Sequence, residues 1–158
     1  YTLFYLRFLK KNTYDEHYWQ VHNNSPKINA WSGVAFERVC LEHIPQIKAA
    51  LGIAGVHTKV NAWQCEADKG KGLQGSQIDL LIVRDDQITN VCETKYSKAD
   101  YHVNAEFDRD MKRKISDYLI DSRTKHAIHA TLITNYGVVE NEYTGELQSI
   151  ITGEELFK

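Results

Sequence analysis

The sequence predicts an α/β fold, a mixed sheet with helices on both faces. Two observations predict it. Segments of helical and strand periodicity follow one another as helix, three strands, helix, strand. The middle of the chain, "QIDLLIVRDDQITNVCETK", reads as two apolar strands joined by a tight acidic turn, so the sheet starts antiparallel.

Residues 1–12 cluster Leu3, Phe4, Leu6, Phe8 and Leu9, as in a short helix. Residues 13–24 are polar with isolated aromatics, Tyr14, Tyr18 and Trp19, and fit a loop or docking segment. Ser25-Pro26 is a helix start, with Ser as N-cap and Pro at the first helical position. Phe36, Cys40, Ile44, Ile47 and Leu51 then recur at steps of three and four. Pro45 should kink or split this helix, and Gly52 should stop it. Val56–Cys65 reads as a strand, and Ala67–Gly75 as a Gly- and Lys-rich flexible connection. Strands follow at 76–84 and 88–96. Asn104 is placed to cap a helix running to about Arg123, with Phe107, Met111, Ile115, Tyr118 and Leu119 on one face. Residues 127–133 form a strong strand, Tyr136-Gly137 a turn, and 137–143 and 147–152 weaker strands. Thr152-Gly-Glu-Glu155 fits a capping box ahead of Leu156-Phe157.

The 158 residues, 42% apolar and 25% charged, suit one globular domain. A formal charge of −2 gives no global attraction to nucleic acid or anionic membrane, though it leaves room for a local basic surface. Cys40, Cys65 and Cys92 are scattered, with no Cys-x-x-Cys pair, which argues against a disulfide framework or structural zinc and for reduced thiols in a cytoplasmic protein. No apolar run reaches the ~18 residues of a membrane span, and no signal peptide is visible. The chain opens mid-pattern without Met, as a domain cut from a longer protein would.

The hairpin carries charge where buried strands should carry none. Alternation puts Gln77, Asp79, Leu81 and Val83 on one face of the first strand, and Val91, Glu93 and Lys95 on one face of the second. If the turn is Asp85-Asp86-Gln87, Asp79 falls opposite Glu93 and Gln77 opposite Lys95; a turn of two or four residues would separate the acids. Opposed residues lie ~4.5–5.5 Å apart at Cα. Two like charges so close destabilise a sheet unless a cation joins them. Mg²⁺ binds oxygen at ~2.0–2.1 Å and commonly uses one or two carboxylates, with waters and phosphate completing its shell. Asp79 and Glu93 are therefore candidate ligands for Mg²⁺ or Mn²⁺. Lys95 would lie near the attacking water or a phosphate oxygen, and Gln77 could bind either. The same tripeptide also fits a plain ion pair of Glu93 with Lys95, and Gln77 plain sheet polarity.

With Asp in one strand and Glu-x-Lys in the next, after a helix bearing Glu37, the chain resembles the PD-(D/E)xK nuclease superfamily and its restriction-endonuclease-like fold. The segments "AWSGVAFERVCLEHIPQIKAALGIAGV", "QIDLLIVRDD", "NVCETKYS" and "LITNYG" resemble more narrowly the C-terminal domain of prokaryotic P-loop ATPases of the AAA type and archaeal kind. Ile78 stands where the motif has its proline. The resemblance implies a nuclease-like domain over 31–158 that cleaves nucleic acid, DNA first, with a divalent metal. It implies catalytic roles for Asp79, Glu93, Lys95 and the helical acid Glu37. It also implies that 1–30 link or dock to an ATPase part in cis. Members of that superfamily have also become non-catalytic modules that bind nucleic acid or protein and regulate the ATPase.

Among other candidates, Cys92 beside Glu93 points to the opposite face and reads as core. His126 and His129 lack the spacing of a metal pair on a strand. The Gly/Lys loop 69–75 lacks the spacing of a P-loop and reads as a plain connection. The run Arg109, Lys112, Arg113, Lys114, interleaved with Asp108, Asp110 and Asp117, reads as a solvated helix face.

Overall fold

The computed structural model describes residues 26–158. The helix expected at 1–12, the aromatic segment of 13–24 and Ser25 as N-cap lie outside the described residues. The chain falls into two compact units, Tyr1–Val34 and Ala35–Lys158. The described part of the first is helical, and the second holds the sheet.

Helix α1 (Pro26–Glu42) ends where Pro45 demands it, and α2 (Ile44–Ala50) continues after a break at His43. Helix α2 closes in a Schellman motif: Gly52 takes φ +69°, its N–H donates to Ala49 O (2.9 Å), and Ile53 N–H donates to Lys48 O (2.9 Å). Then come β1 (Thr58–Cys65), β2 (Ser76–Arg84), β3 (Ile88–Lys95) and β4 (Tyr101–His102). Helix α3 (Ala105–Ser122) starts at Asn104, whose side chain accepts from Phe107 N–H, and ends with Arg123 left-handed at φ 53°. The chain closes with β5 (Ala127–Thr134), β6 (Val138–Val139), a 3₁₀ turn at Thr144–Glu146, β7 (Ser149–Ile151) and α4 (Gly153–Leu156). The expected capping box forms: Thr152 N–H donates to Glu155 Oε2 at 2.8 Å.

The main sheet runs β1-β2-β3-β5-β7. β1, β2 and β3 pair antiparallel; β3–β5 and β5–β7 pair parallel. This is the mixed α/β sheet expected. Each face carries its own core. Phe36, Cys40, Ile47 and Leu156 cover one face against Leu80, Ile82, Cys92, Ile133 and Ile151. Phe107, Met111 and Tyr118 of α3 cover the other against Ile78, Leu81, Val91 and Leu132. Helices therefore lie on both faces, and each apolar side chain is removed from water by one or the other. Among the described residues no helix is long and apolar enough to cross a membrane.

Four readings differ in detail. The strand expected over 137–143 is two residues of β6 followed by the 3₁₀ turn. β4, which pairs with β6 in a separate two-stranded sheet, has no counterpart among the expected strands because two residues carry no period. Leu119 is 38% exposed, whereas Asp117 is fully buried. The Gly/Lys connection is ordered: Asp68 Oδ1 accepts from Gly70 N–H (2.9 Å), Asp68 and Leu73 bridge as backbone, and the Asp117 carboxylate accepts from Gln74 N–H (3.0 Å) and Ser76 Oγ (2.6 Å).

Candidate active site

The turn Asp85-Asp86-Gln87 has the expected three residues, with Gln87 left-handed at φ 64°. The register follows: Val83 lies opposite Thr89, Ile82 opposite Asn90, Leu81 opposite Val91, and Leu80 opposite Cys92. There the ladder ends, one residue before Asp79 and Glu93. On its other edge β2 carries an irregularity at the same place. Asn61 pairs with Leu81 but Trp63 pairs with Ile78, so β2 spends one residue more than β1. The packing confirms this bulge. Ile78 and Leu81, three apart, share the α3-facing core, while Leu80 and Ile82 share the other. The grouping of Gln77 and Asp79 with Leu81 by simple alternation fails at the bulge, and the expected rungs Asp79–Glu93 and Gln77–Lys95 are not made. A bulge re-aims side chains and ends pairing, and it lets a sheet accept charge at this point.

Glu93 is mostly buried and engages two lysines. Lys95 Nζ lies 2.8 Å from Oε1, and Lys114 Nζ lies 2.6 Å from Oε2. The ion pair of Glu93 with Lys95 is thus present, and a second cation joins it from α3. Asp110, one helical turn before Lys114, lies 3.8 Å from the same ammonium. Gln77 donates its amide N–H to Asp79 Oδ1. Glu37, half-buried on α1, belongs to the same electrostatic cluster. Burial raises its pKa first; the charges of Asp79 and Glu93 raise it further, against the lowering pull of Lys95 and Lys114. For Lys95, burial disfavours the ammonium, but the charge and hydrogen bond of Glu93 outweigh this and the pKa is raised on balance. Lys95 is therefore an ammonium at neutral pH.

Surrounding elements give the cluster its shape. Lys95 Nζ sits 5.9 Å from the centroid of Phe107, within cation–π range, and Tyr101 meets the Phe107 ring at 5.9 Å. Glu93, Lys95, Tyr101 and Asp110 line a cleft of about 270 Å³; Gln77, Asp79, Asp110 and Lys114 line a wider one of about 770 Å³. Asp110 borders both. Beyond Lys95 the strand ends are tied together, with Ser97 N–H donating to Asn135 Oδ1 (2.7 Å) and Asn135 Nδ2 donating to Ser97 O (2.7 Å).

The five candidate residues fall into two bonded sets, Gln77 with Asp79 and Glu93 with Lys95, and Glu37 feels both. Lys114, Asp110 and Tyr101 join the site beyond the residues expected from sequence. The helix face read as solvated is in part a seam. Lys114 reaches Glu93, Asp117 reaches Ser76, and Asp121 Oδ2 accepts from Trp63 Nε1 at 3.1 Å. The signal was the spacing: Lys114 lies three after Met111 and four before Tyr118, on the apolar stripe. Cys92 is core as read, its thiol pushed up to about 12 by burial. His126 Nδ1 lies 3.1 Å from Thr89 Oγ1.

Asp79 and Glu93 could hold a divalent cation. Among the described residues no three His, Cys, Asp or Glu side chains form a ready cage. Two carboxylates are the donor set that suits Mg²⁺ or Mn²⁺, which keeps several waters, and not the nitrogen and sulfur set of structural zinc.

No protein-family model and no curated protein sequence matches the chain. Among solved structures it is similar to one described as the crystal structure of a protein of unknown function, AF1548. The two are 17% identical with a TM-score of 0.46, over 72% of this chain and 56% of that one. The chain thus matches a little over half that protein's length.

Proposed function

We propose that the chain is a metal-dependent nuclease domain of the PD-(D/E)xK kind, hydrolysing phosphodiester bonds of nucleic acid, DNA first, as the C-terminal part of a cytoplasmic P-loop ATPase. One observation carries the reading. Where β2 loses regular pairing on both edges, Asp79, bonded to Gln77, and Glu93, bonded to Lys95, lie within the field of one further acid, Glu37. A divalent cation, when bound by Asp79 and Glu93, supplies Lewis-acid stabilisation of the charge that develops on the phosphate. Lys95 donates: as an ammonium it orients the attacking water or a phosphate oxygen and offsets negative charge, rather than taking a proton. Gln77 holds the Asp79 carboxylate in place. Glu37 adds negative charge that favours a cation.

The test is cleavage of single- and double-stranded DNA and RNA with Mg²⁺ or Mn²⁺, alongside calorimetric titration with Mn²⁺. Metal-dependent cleavage that is lost in Glu93→Gln supports the reading; no binding heat, no thermal shift and no cleavage reject it.

A second reading is favoured by the double occupation of Glu93, both of whose oxygens already have ammonium partners. In it the domain is a non-catalytic module that binds nucleic acid or a protein partner and regulates the ATPase. It predicts stable folding without metal and no response to Mn²⁺.

A further inference from the structure

The two lysines on Glu93 are not equivalent. Lys95 follows Glu93 by two residues on the same strand, so it stays with that carboxylate wherever the strand goes. Lys114 comes from α3, and its side chain is 12% exposed. Its ammonium stands between two acids, 2.6 Å from Glu93 Oε2 on the sheet and 3.8 Å from Asp110 Oδ2 on its own helix. Asp110 is the natural second partner because residues four apart on a helix face each other. It is also the better hydrated of the two, at 41% exposed against 15% for Glu93. An ammonium can thus pass from Glu93 to Asp110 by a side-chain movement alone, and at neither end is it left unpaired in a buried place.

A cation that approaches Glu93 Oε2 meets the Lys114 ammonium on the same oxygen, and the positive charges repel each other. Resting on the divalent-cation reading above, we propose that Lys114 is a resident counter-ion for the metal site. It neutralises Glu93 while the metal is absent, yields Oε2 to the arriving cation, and moves onto Asp110. Lys114 is then a positioning residue that sets how tightly the metal is held and keeps the acids from repelling one another beforehand. Lys95 remains for the chemistry.

The experiment is calorimetric titration of the intact protein with Mn²⁺, for wild type, Lys114→Met, Lys114→Arg, Asp110→Asn and the double variant Lys114→Met/Asp110→Asn. Circular dichroism checks the fold of each. Lys114→Met removes the competitor at nearly constant length and should bind Mn²⁺ about tenfold tighter, while Lys114→Arg keeps the charge and should not gain. Asp110→Asn removes the landing place and should weaken binding by about threefold to tenfold in the wild-type background, and much less when Lys114 is already Met. The coupling between the two positions separates a moving lysine from general electrostatics. The proposal is overturned if wild type binds Mn²⁺ and Lys114→Met binds it no tighter, or if Asp110→Asn weakens binding equally in both backgrounds. If neither wild type nor Lys114→Met binds Mn²⁺, the metal-site reading itself falls, and the proposal with it.

Discussion

Leu80 lies opposite Cys92 in the last rung between β2 and β3, and the two strands pair no further. That rung is set by a three-residue turn whose last member, Gln87, is left-handed at φ 64°. The conformation costs a non-glycine residue about 1 kcal/mol, and glycine's extra freedom in the unfolded chain returns roughly half of that. Gln87→Gly should therefore stabilise the protein by about half a kcal/mol in urea denaturation, with Mn²⁺ binding unchanged. Destabilisation would mean that the Gln87 side chain contributes more than its backbone strain costs.

The Asp117 carboxylate is buried and accepts from both Gln74 N–H and Ser76 Oγ, so it fastens the Gly/Lys loop to α3 at the start of β2. Asp117→Ala leaves two donors unsatisfied and should cost about 2–4 kcal/mol, whereas Ser76→Ala removes one partner and should cost about 1 kcal/mol. Chemical denaturation of the two variants checks the ratio. Equal losses would show that the hydroxyl, not the carboxylate, is the critical member.

The parts of this site that were legible in the sequence were local ones. Turn parity gave the hairpin register, because a one-residue error would have exchanged the faces of every side chain on β3. The bulge at Asp79 was hidden because Leu80, Leu81 and Ile82 are all apolar and all buried, so that neither face betrays a slip in alternation. The place of Lys114 on the apolar stripe was legible, but its partner was not: Glu93 lies 21 residues away across a strand end and a loop. A charged residue on a helix is solvated unless some distant group supplies an opposite charge, and spacing within the helix cannot reveal that group. Leu119 and Asp117 exchanged places for the same reason: the stripe of α3 facing the sheet is part polar, and hydrophobic periodicity follows only its apolar half.

Cys40 and Cys92 are both buried, and burial pushes both thiols up to about 12. Neither offers a thiolate near neutral pH. Cys65 lies on the outermost strand β1 and is half-exposed. With Ellman's reagent at mildly alkaline pH, a single thiol should react within minutes, and Cys65→Ser should abolish that phase. The other two should react only as fast as the protein unfolds. Rapid modification of two or more thiols in folded protein would contradict this packing.

The pKa of Glu37 is raised above 4.5 by burial and then by Asp79 and Glu93. A raised carboxylate binds its proton more tightly in the folded state, so its contribution to stability falls as pH rises from the unfolded value through the folded one. Above that window the ionised group is a constant burden. Glu37→Gln should therefore be more stable than wild type at neutral pH, by less than about 1 kcal/mol because the group is half-exposed and screened, with the gain shrinking as the pH falls to the ordinary carboxylate range. Urea titrations at both pH values measure it. A loss of stability at neutral pH would show that the Glu37 charge is satisfied by the lysines. Mn²⁺ should reverse the order, stabilising wild type more than Glu37→Gln.

The nuclease reading separates the roles of Glu93 and Lys95. Glu93→Gln keeps the side-chain volume but removes the charge that both lysines and the cation share, so Mn²⁺ affinity and cleavage should fall together, cleavage by at least about 10²-fold. Lys95→Ala removes an ammonium that donates during the reaction but competes with the metal beforehand. Cleavage should again fall by about 10²-fold or more, with Mn²⁺ binding retained or tightened. Parallel measurement of single-turnover rates and Mn²⁺ titrations tests the contrast. If Lys95→Ala lost metal affinity as Glu93→Gln does, Lys95 would serve only to hold the carboxylate, and the water-orienting role would have to pass to another residue.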